Sequence, residues 1–246
     1  MADSRPRRPS PAARLGAALR RLAAPGSDRG APAGAGGRYG RLWNPPDETS
    51  AIRQIYNTDS PASFEEGGQL DFDWLRPFLG SGSTVLDLGC GIGRVARYVA
   101  PHCSVLWAVD ASQRMLDLAA ERLQGLTNVR YALCRDVVFP DVPSQSVDVA
   151  YSLLVLQHLE REDAFLLLEE LRRVVRPTGT VLLTYPNLLS EIYLQGFVDY
   201  AHTGAASNPS RARLYTPQEV EAILPAAGFS AEIEAGTEIQ VVARPV

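Results

Sequence analysis

Asp87, Asp110, Asp136 and His158 each stand just past a short apolar run. Asp87 and Leu88 lead into the turn Gly89-Cys90-Gly91-Ile92-Gly93. Glycines at alternate positions let a backbone approach a ligand closely. The run from Val85 to Leu88 reads as a buried parallel strand, and a helix beyond the turn supplies free N–H groups. A carboxylate at Asp87 accepts from an ammonium and repels a pyrophosphate. One at Asp110 accepts from both hydroxyls of a ribose, although an acid there can equally cap the next helix. Strand, glycine turn and acids describe a nucleoside site.

The glycine spacing limits which nucleoside cofactor fits. A dinucleotide fingerprint reads G-x-G-x-x-G, its third glycine closing helix against strand. Here the spacing is G-x-G-x-G, and Arg94 stands where that third glycine would fall. A P-loop needs Gly-Lys-Ser/Thr, and the chain contains no lysine.

The elements that must position these residues alternate. Strands are expected at 84–88, 104–109, 129–133, 147–153 and 180–184. Helices are expected at 93–100, 112–124 and 161–175 between them, with 48–56 and 70–79 ahead. Strand-helix alternation means β-α-β units and a parallel sheet with helices on both faces. Thr216 is an N-cap with Pro217 at the first helical position, and that helix stops at Gly228. Two strands near 230–234 and 238–243 are close enough in sequence to pair only as an antiparallel hairpin. The expected fold is therefore α/β: a doubly wound, mostly parallel seven-stranded sheet closed by a C-terminal antiparallel hairpin.

From about residue 70 to the C-terminus this pattern resembles the class I S-adenosylmethionine-dependent methyltransferases, whose last strand is inserted antiparallel. The resemblance implies S-adenosyl-L-methionine as cofactor. The turn residues Asp87, Gly89, Cys90, Gly91 and Gly93 would hold its methionine end. Asp110 would hold the ribose, with Ala111 and Met115 against the adenine, though Met115 is equally a core filler. Asp136 would accept from the adenine amine while the Val137 N–H donates to the ring. Leu153 and Ser152, ending the fourth strand, would line the pocket, and Asp148 reads as structural. The absence of an Asn/Asp-Pro-Pro-Tyr/Phe motif counts against methylation of nucleic-acid bases.

In-line transfer of a sulfonium methyl needs an oriented nucleophile and exclusion of water. A base helps when the nucleophile is a hydroxyl. His158 is the best-placed base, since histidine titrates near neutrality; a histidine packed at a helix start is the plainer reading. His102 and His202 are weaker candidates. Residues 185–214 carry Tyr185, Tyr193, Phe197 and Tyr200 with Arg211 and Arg213, and are expected to form a substrate lid, unless the aromatics are core. Arg53, Tyr56 and Phe64 are expected to close the other side. The reaction expected is methyl transfer to a small-molecule hydroxyl. N- or C-methylation, or a cofactor-binding protein without transfer, stay open.

Composition excludes some classes. The net charge of −4 gives no general case for nucleic-acid binding. It is uneven: residues 1–41 carry nine arginines against two acids, +7, leaving −11 on the rest. That Pro/Ala/Gly/Arg-rich segment is expected to be disordered, with nascent helix near 12–24. The methyltransferase domain would then span 42–246. Cys90, Cys103 and Cys134 show no C-x-x-C pair and no metal spacing, which fits a reducing cytoplasm. No apolar run reaches the length of a membrane helix, about 18 residues. A homodimer is compatible with these features but not implied by them.

Overall fold

The computed structural model describes residues 37–203 and 211–246. The amphipathic stretch near 12–24 therefore lies outside the described residues. The strands are β1 (Thr84–Leu88), β2 (Val105–Asp110), β3 (Val129–Leu133), β4 (Val147–Leu153), β5 (Val175–Pro186), β6 (Phe229–Ala235) and β7 (Glu238–Pro245). The helices are α1 (Gly37–Leu42), α2 (Glu48–Tyr56), α3 (Pro61–Leu75), α4 (Ala96–Val99), α5 (Gln113–Arg122), α6 (Arg161–Val174), α7 (Glu191–His202) and α8 (Pro217–Ala226).

The sheet runs β3-β2-β1-β4-β5-β7-β6. Neighbours from β3 to β5 pair parallel, and β7 pairs antiparallel with both β5 and β6. The expected doubly wound sheet with its terminal hairpin is thus present. Parallel strands are apolar on both faces because helices cover both. Leu86, Leu88 and Leu183 pack with Leu168 and Leu171 of α6 on one face. Val85, Leu106 and Leu182 pack with Leu75 and Val99 on the other. The chain order reverses between β1 and β4, and the β1, β2 and β4 ends open into one crevice there.

Local chemistry sets the helix ends. Asp47 caps α2 by accepting from Ser50 N at 2.8 Å, and Ser112 caps α5 by accepting from Met115 N at 3.2 Å. Thr216 and Glu219 form a reciprocal capping box on α8. Two expectations are corrected. Helix α4 begins at Ala96 rather than near 93, because Gly91 (φ 54°) and Gly93 (φ 81°) take left-handed conformations that a helix cannot contain. Residues 37–41, read as the end of a disordered tail, form most of α1. The Tyr39 hydroxyl accepts from Glu160 N at 3.1 Å and pairs with Asp163. The Gln54 side chain donates to Leu42 O at 2.7 Å.

Behind the sheet, Glu170 fixes the loop after β3. Its buried carboxylate accepts from Phe139 N at 3.0 Å and from Arg173 at 2.7 Å. Arg173 in turn donates to Val142 O at 3.1 Å. Glu170→Ala leaves a buried amide and a guanidinium short of acceptors. It is expected to lower unfolding free energy by about 1–3 kcal/mol, read as a shift in denaturation midpoint. An unchanged midpoint would show that the loop does not depend on this latch.

Candidate functional site

A cavity of about 930 Å³ opens at the carboxyl ends of β1, β2 and β4. Its walls include Asp87, Gly89, Cys90, Gly91, Asp110 and Ala111. Met115, Asp136, Val137, Leu153 and His158 also line it. Eleven of the thirteen residues expected at the site thus meet around one space. Gly93 does not line it: a Cβ there would lie 2.9 Å from Leu123 Cδ1, so this glycine serves helix packing. Ser152 is also away from the cavity; its hydroxyl donates to Leu88 O at 3.0 Å. Asp148 accepts from Thr84 N and pairs with Arg176, a structural role.

The glycine turn is tied to the end of β2. Gly89 N and Cys90 N both donate to Val109 O, at 2.8 and 3.0 Å. Asp110 Oδ2 accepts from Gly91 N at 2.9 Å while Oδ1 accepts from Ser112 N at 2.9 Å. Asp110 therefore ties the glycine turn to the stretch before α5, whose N-cap is Ser112 rather than Asp110. A Cβ at Gly89 would lie 2.4 Å from Val155, and one at Gly91 would lie 2.8 Å from Ile55. Neither glycine has room for a side chain.

Asp136 and Val137 form the tip of a two-residue turn closed by Arg135 N to Val138 O (2.8 Å) and Val138 N to Arg135 O (3.0 Å). Both have positive φ, 47° and 63°. A β-branched residue there is strained by about 1–3 kcal/mol, and the neighbouring latch at Glu170 helps hold it.

Two buried acids face the cavity unneutralised by close cations. Burial pushes the Asp87 carboxyl up to about 7, opposed by the Tyr151 hydroxyl and the Arg94 charge. The Tyr151 hydroxyl lies near enough to favour the Asp87 carboxylate, although no acceptor meets full hydrogen-bond geometry. Burial pushes Asp110 up to about 6, opposed by the N–H groups of Ser112, Gly91 and Ala111.

The far wall differs from expectation. His158, half-buried in the Leu156–His158 turn, lies with its ring 4.9 Å from Trp43 in an edge contact. Its Nε2 is 3.4 Å from Gln157 Nε2. Among the described residues, none from 185 to 214 lines the cavity. Tyr185 and Tyr193 are buried in the core, while Phe197 lies exposed on α7. Arg213 instead braces the site from outside, donating to His158 O at 3.1 Å and pairing with Glu160. His102 stacks on Phe72, and His202 ends α7.

Closure comes from α1 and the chain after it. Arg38, Tyr39, Arg41, Leu42 and Trp43 line the cavity. A Cβ at Gly40 would lie 2.3 Å from Ala111 O, so this segment rests directly on the β2–α5 turn. Arg53 lines the cavity as expected, whereas Tyr56 and Phe64 do not. Residues missed by the sequence reading are those of α1, Arg94 and Gln157. The signal available was the small-residue spacing around Gly37 and Gly40, which permits the close approach.

Asp87 and Asp110 bind protons more tightly in the folded chain than at their ordinary value of 3.8. The folded form gains relative stability at low pH, and this is lost as pH rises through about 6 and 7. Melting temperature is therefore expected to fall between about pH 4 and 7, with a flatter slope in Asp87→Asn. An equal or steeper slope in that variant would contradict the burial argument.

Known proteins match this arrangement. A family described as a methyltransferase domain matches residues 85–179. The chain is 35% identical over 109 residues to a malonyl-[acyl-carrier protein] O-methyltransferase of Marinomonas sp., covering 42% of this chain and 38% of that one. It is 30% identical over 144 residues to a demethylmenaquinone methyltransferase of Tropheryma whipplei, covering 54% and 58%. The chain thus spans roughly two fifths to three fifths of these curated relatives. A SAM-dependent methyltransferase from Aquifex aeolicus superposes with a TM-score of 0.58 at 24% identity, covering 81% of this chain and all of that one. No helix among the described residues is long and apolar enough to cross a membrane. Residues 85–179, which hold the glycine turn, Asp87, Asp110, Asp136 and His158, are thus similar to a methyltransferase domain.

Proposed function

We propose that this protein transfers a methyl group from S-adenosylmethionine to a hydroxyl oxygen of a small organic acceptor. The observation that carries this reading is the single cavity joining the acids of β1 and β2 to His158. At about 930 Å³ it lies near the top of the range for small-molecule sites, about 300–1,000 Å³, which leaves room for cofactor and acceptor together. The name of the Marinomonas relative also specifies transfer to oxygen.

The residues present fit the cofactor. Asp110 accepts from the N–H groups of Gly91 and Ser112, with that of Ala111 beside them, and its remaining lone-pair capacity suits a ribose hydroxyl. Asp87 is a buried acid whose charged form a ligand ammonium would stabilise. Asp136 offers its carboxylate to the adenine amine. The Val137 N–H, which faces the Cys134 thiol, would have a better acceptor in a ring nitrogen. Ala111, Met115 and Leu153 supply apolar surface. Bound here, the cofactor supplies an electrophilic methyl.

The chain's own contribution is orientation, dryness and a base. Trp43 and the 3₁₀ turn fix the imidazole of His158 at the cavity wall. From there it takes the proton of an acceptor hydroxyl. Helix α1 forms one wall of the transfer space. Trp43, Leu42 and Leu166 give that space an apolar wall, and Arg41 gives it a charged edge.

Two variants test the division of labour. Asp110→Ala is expected to weaken cofactor binding by roughly 1.5–3 kcal/mol. His158→Ala is expected to leave cofactor affinity near normal and to slow methyl transfer about 100-fold or more. Both are measured by calorimetric titration and by transfer of labelled methyl to candidate acceptors. Cofactor bound without transfer to any acceptor would overturn the enzymatic reading. Normal turnover in His158→Ala would remove the histidine as base.

A further inference from the structure

The wall formed by residues 38–43 is pinned at almost every position. Arg38 pairs with Glu160 at 3.0 Å. The Tyr39 hydroxyl holds Asp163 and accepts from Glu160 N. Gly40 is pressed against Ala111 O, where a Cβ would lie 2.3 Å away. Leu42 O accepts from the Gln54 side chain at 2.7 Å, and the Trp43 ring meets the His158 ring at 4.9 Å. Arg41 stands between these anchors and lines the same cavity. Among the described residues, no hydrogen bond, ion pair or ring contact holds its guanidinium.

The other arginines that line the cavity are matched. Arg38 has Glu160, Arg53 pairs with Asp59 at 2.6 Å, and Arg94 pairs with Asp71 at 2.6 Å. Carboxylates at the strand ends, Asp87 and Asp110, disfavour an anion beside them. Arg41 is the lining arginine left to attract one. Its backbone is already fixed on both sides, which lowers the ordering cost of an ion pair formed there. One guanidinium offers a planar fork that fits one carboxylate. Trp43, whose ring contacts His158, follows Arg41 by two residues, within about 7 Å of backbone. The unmatched cation and the histidine are therefore within reach of one small molecule.

We propose that the acceptor is a small hydroxy acid, with its carboxylate held by Arg41 and its hydroxyl presented to His158. Leu42, Trp43 and Leu166 offer apolar surface to its carbon skeleton. This rests on the reading of methyl transfer to oxygen given above. Arg41 selects the acceptor; the carboxylate it holds is not the group methylated.

The test measures transfer of labelled methyl to a panel of phenols and aliphatic alcohols, each supplied as a free acid and as its neutral carboxamide. The wild type is expected to show kcat/KM about 5- to 10-fold higher for an acid than for its amide. Arg41→Met is expected to bring that ratio within about twofold by raising KM for the acids rather than lowering kcat. Arg41→Glu is expected to turn the preference toward the amides. Each variant is shown to fold by its binding of S-adenosylhomocysteine. Equal use of acid and amide by the wild type would overturn the proposal without needing any variant. A methyl ester product, or a preference for acids that survives in both variants, would overturn it too. No transfer to any member of the panel would instead overturn the methyl-transfer reading, and this proposal with it.

Discussion

The carboxylate of Asp110 holds two stretches of backbone at once, Gly91 N on one oxygen and Ser112 N on the other. Much of the site depends on this bridge. With both Gly89 N and Cys90 N on Val109 O, it locks the turn after β1 to the end of β2. The turn can sit there because its glycines take positive φ and have no side chains to collide with Val155 or Ile55. Asp87 is carried into place by the same parallel register, opposite Ala108 of β2 and Tyr151 of β4.

That arrangement is electrostatically costly while the acids are charged. Two buried carboxyls face one cavity, and burial raises both. Desolvation disfavours the charged form until a partner arrives. Helix α1 then closes the space, anchored at Glu160, Asp163 and Gln54 rather than by its own sequence.

Much of this was legible in the sequence because its physical causes are local. Strands β1, β3 and β4 were bounded correctly by continuous apolar runs, since both their faces are covered. Helix α2 was bounded correctly, and the start of α8 was legible from the Thr216 cap and Pro217. The misses have tertiary causes. Gly67 and Gly68 weaken the helical signal of α3, yet they are needed where Tyr56 and Arg94 approach. Helix α1 has little propensity of its own and is held by partners far along the chain. The aromatic residues of 185–214 have the composition of a lid, but Tyr185 and Tyr193 turn into the core. Composition does not reveal which way a ring faces.

The central claim is that buried acids at the ends of β1 and β2 stay partly protonated until the cofactor's polar groups arrive. Proton linkage tests it most directly. S-adenosylhomocysteine is titrated into the protein at about pH 6.5 in buffers of differing ionisation enthalpy. The account predicts net proton release on binding, as the ligand draws Asp87 and Asp110 into their charged forms. Binding with no proton exchange, or with net uptake, would contradict it.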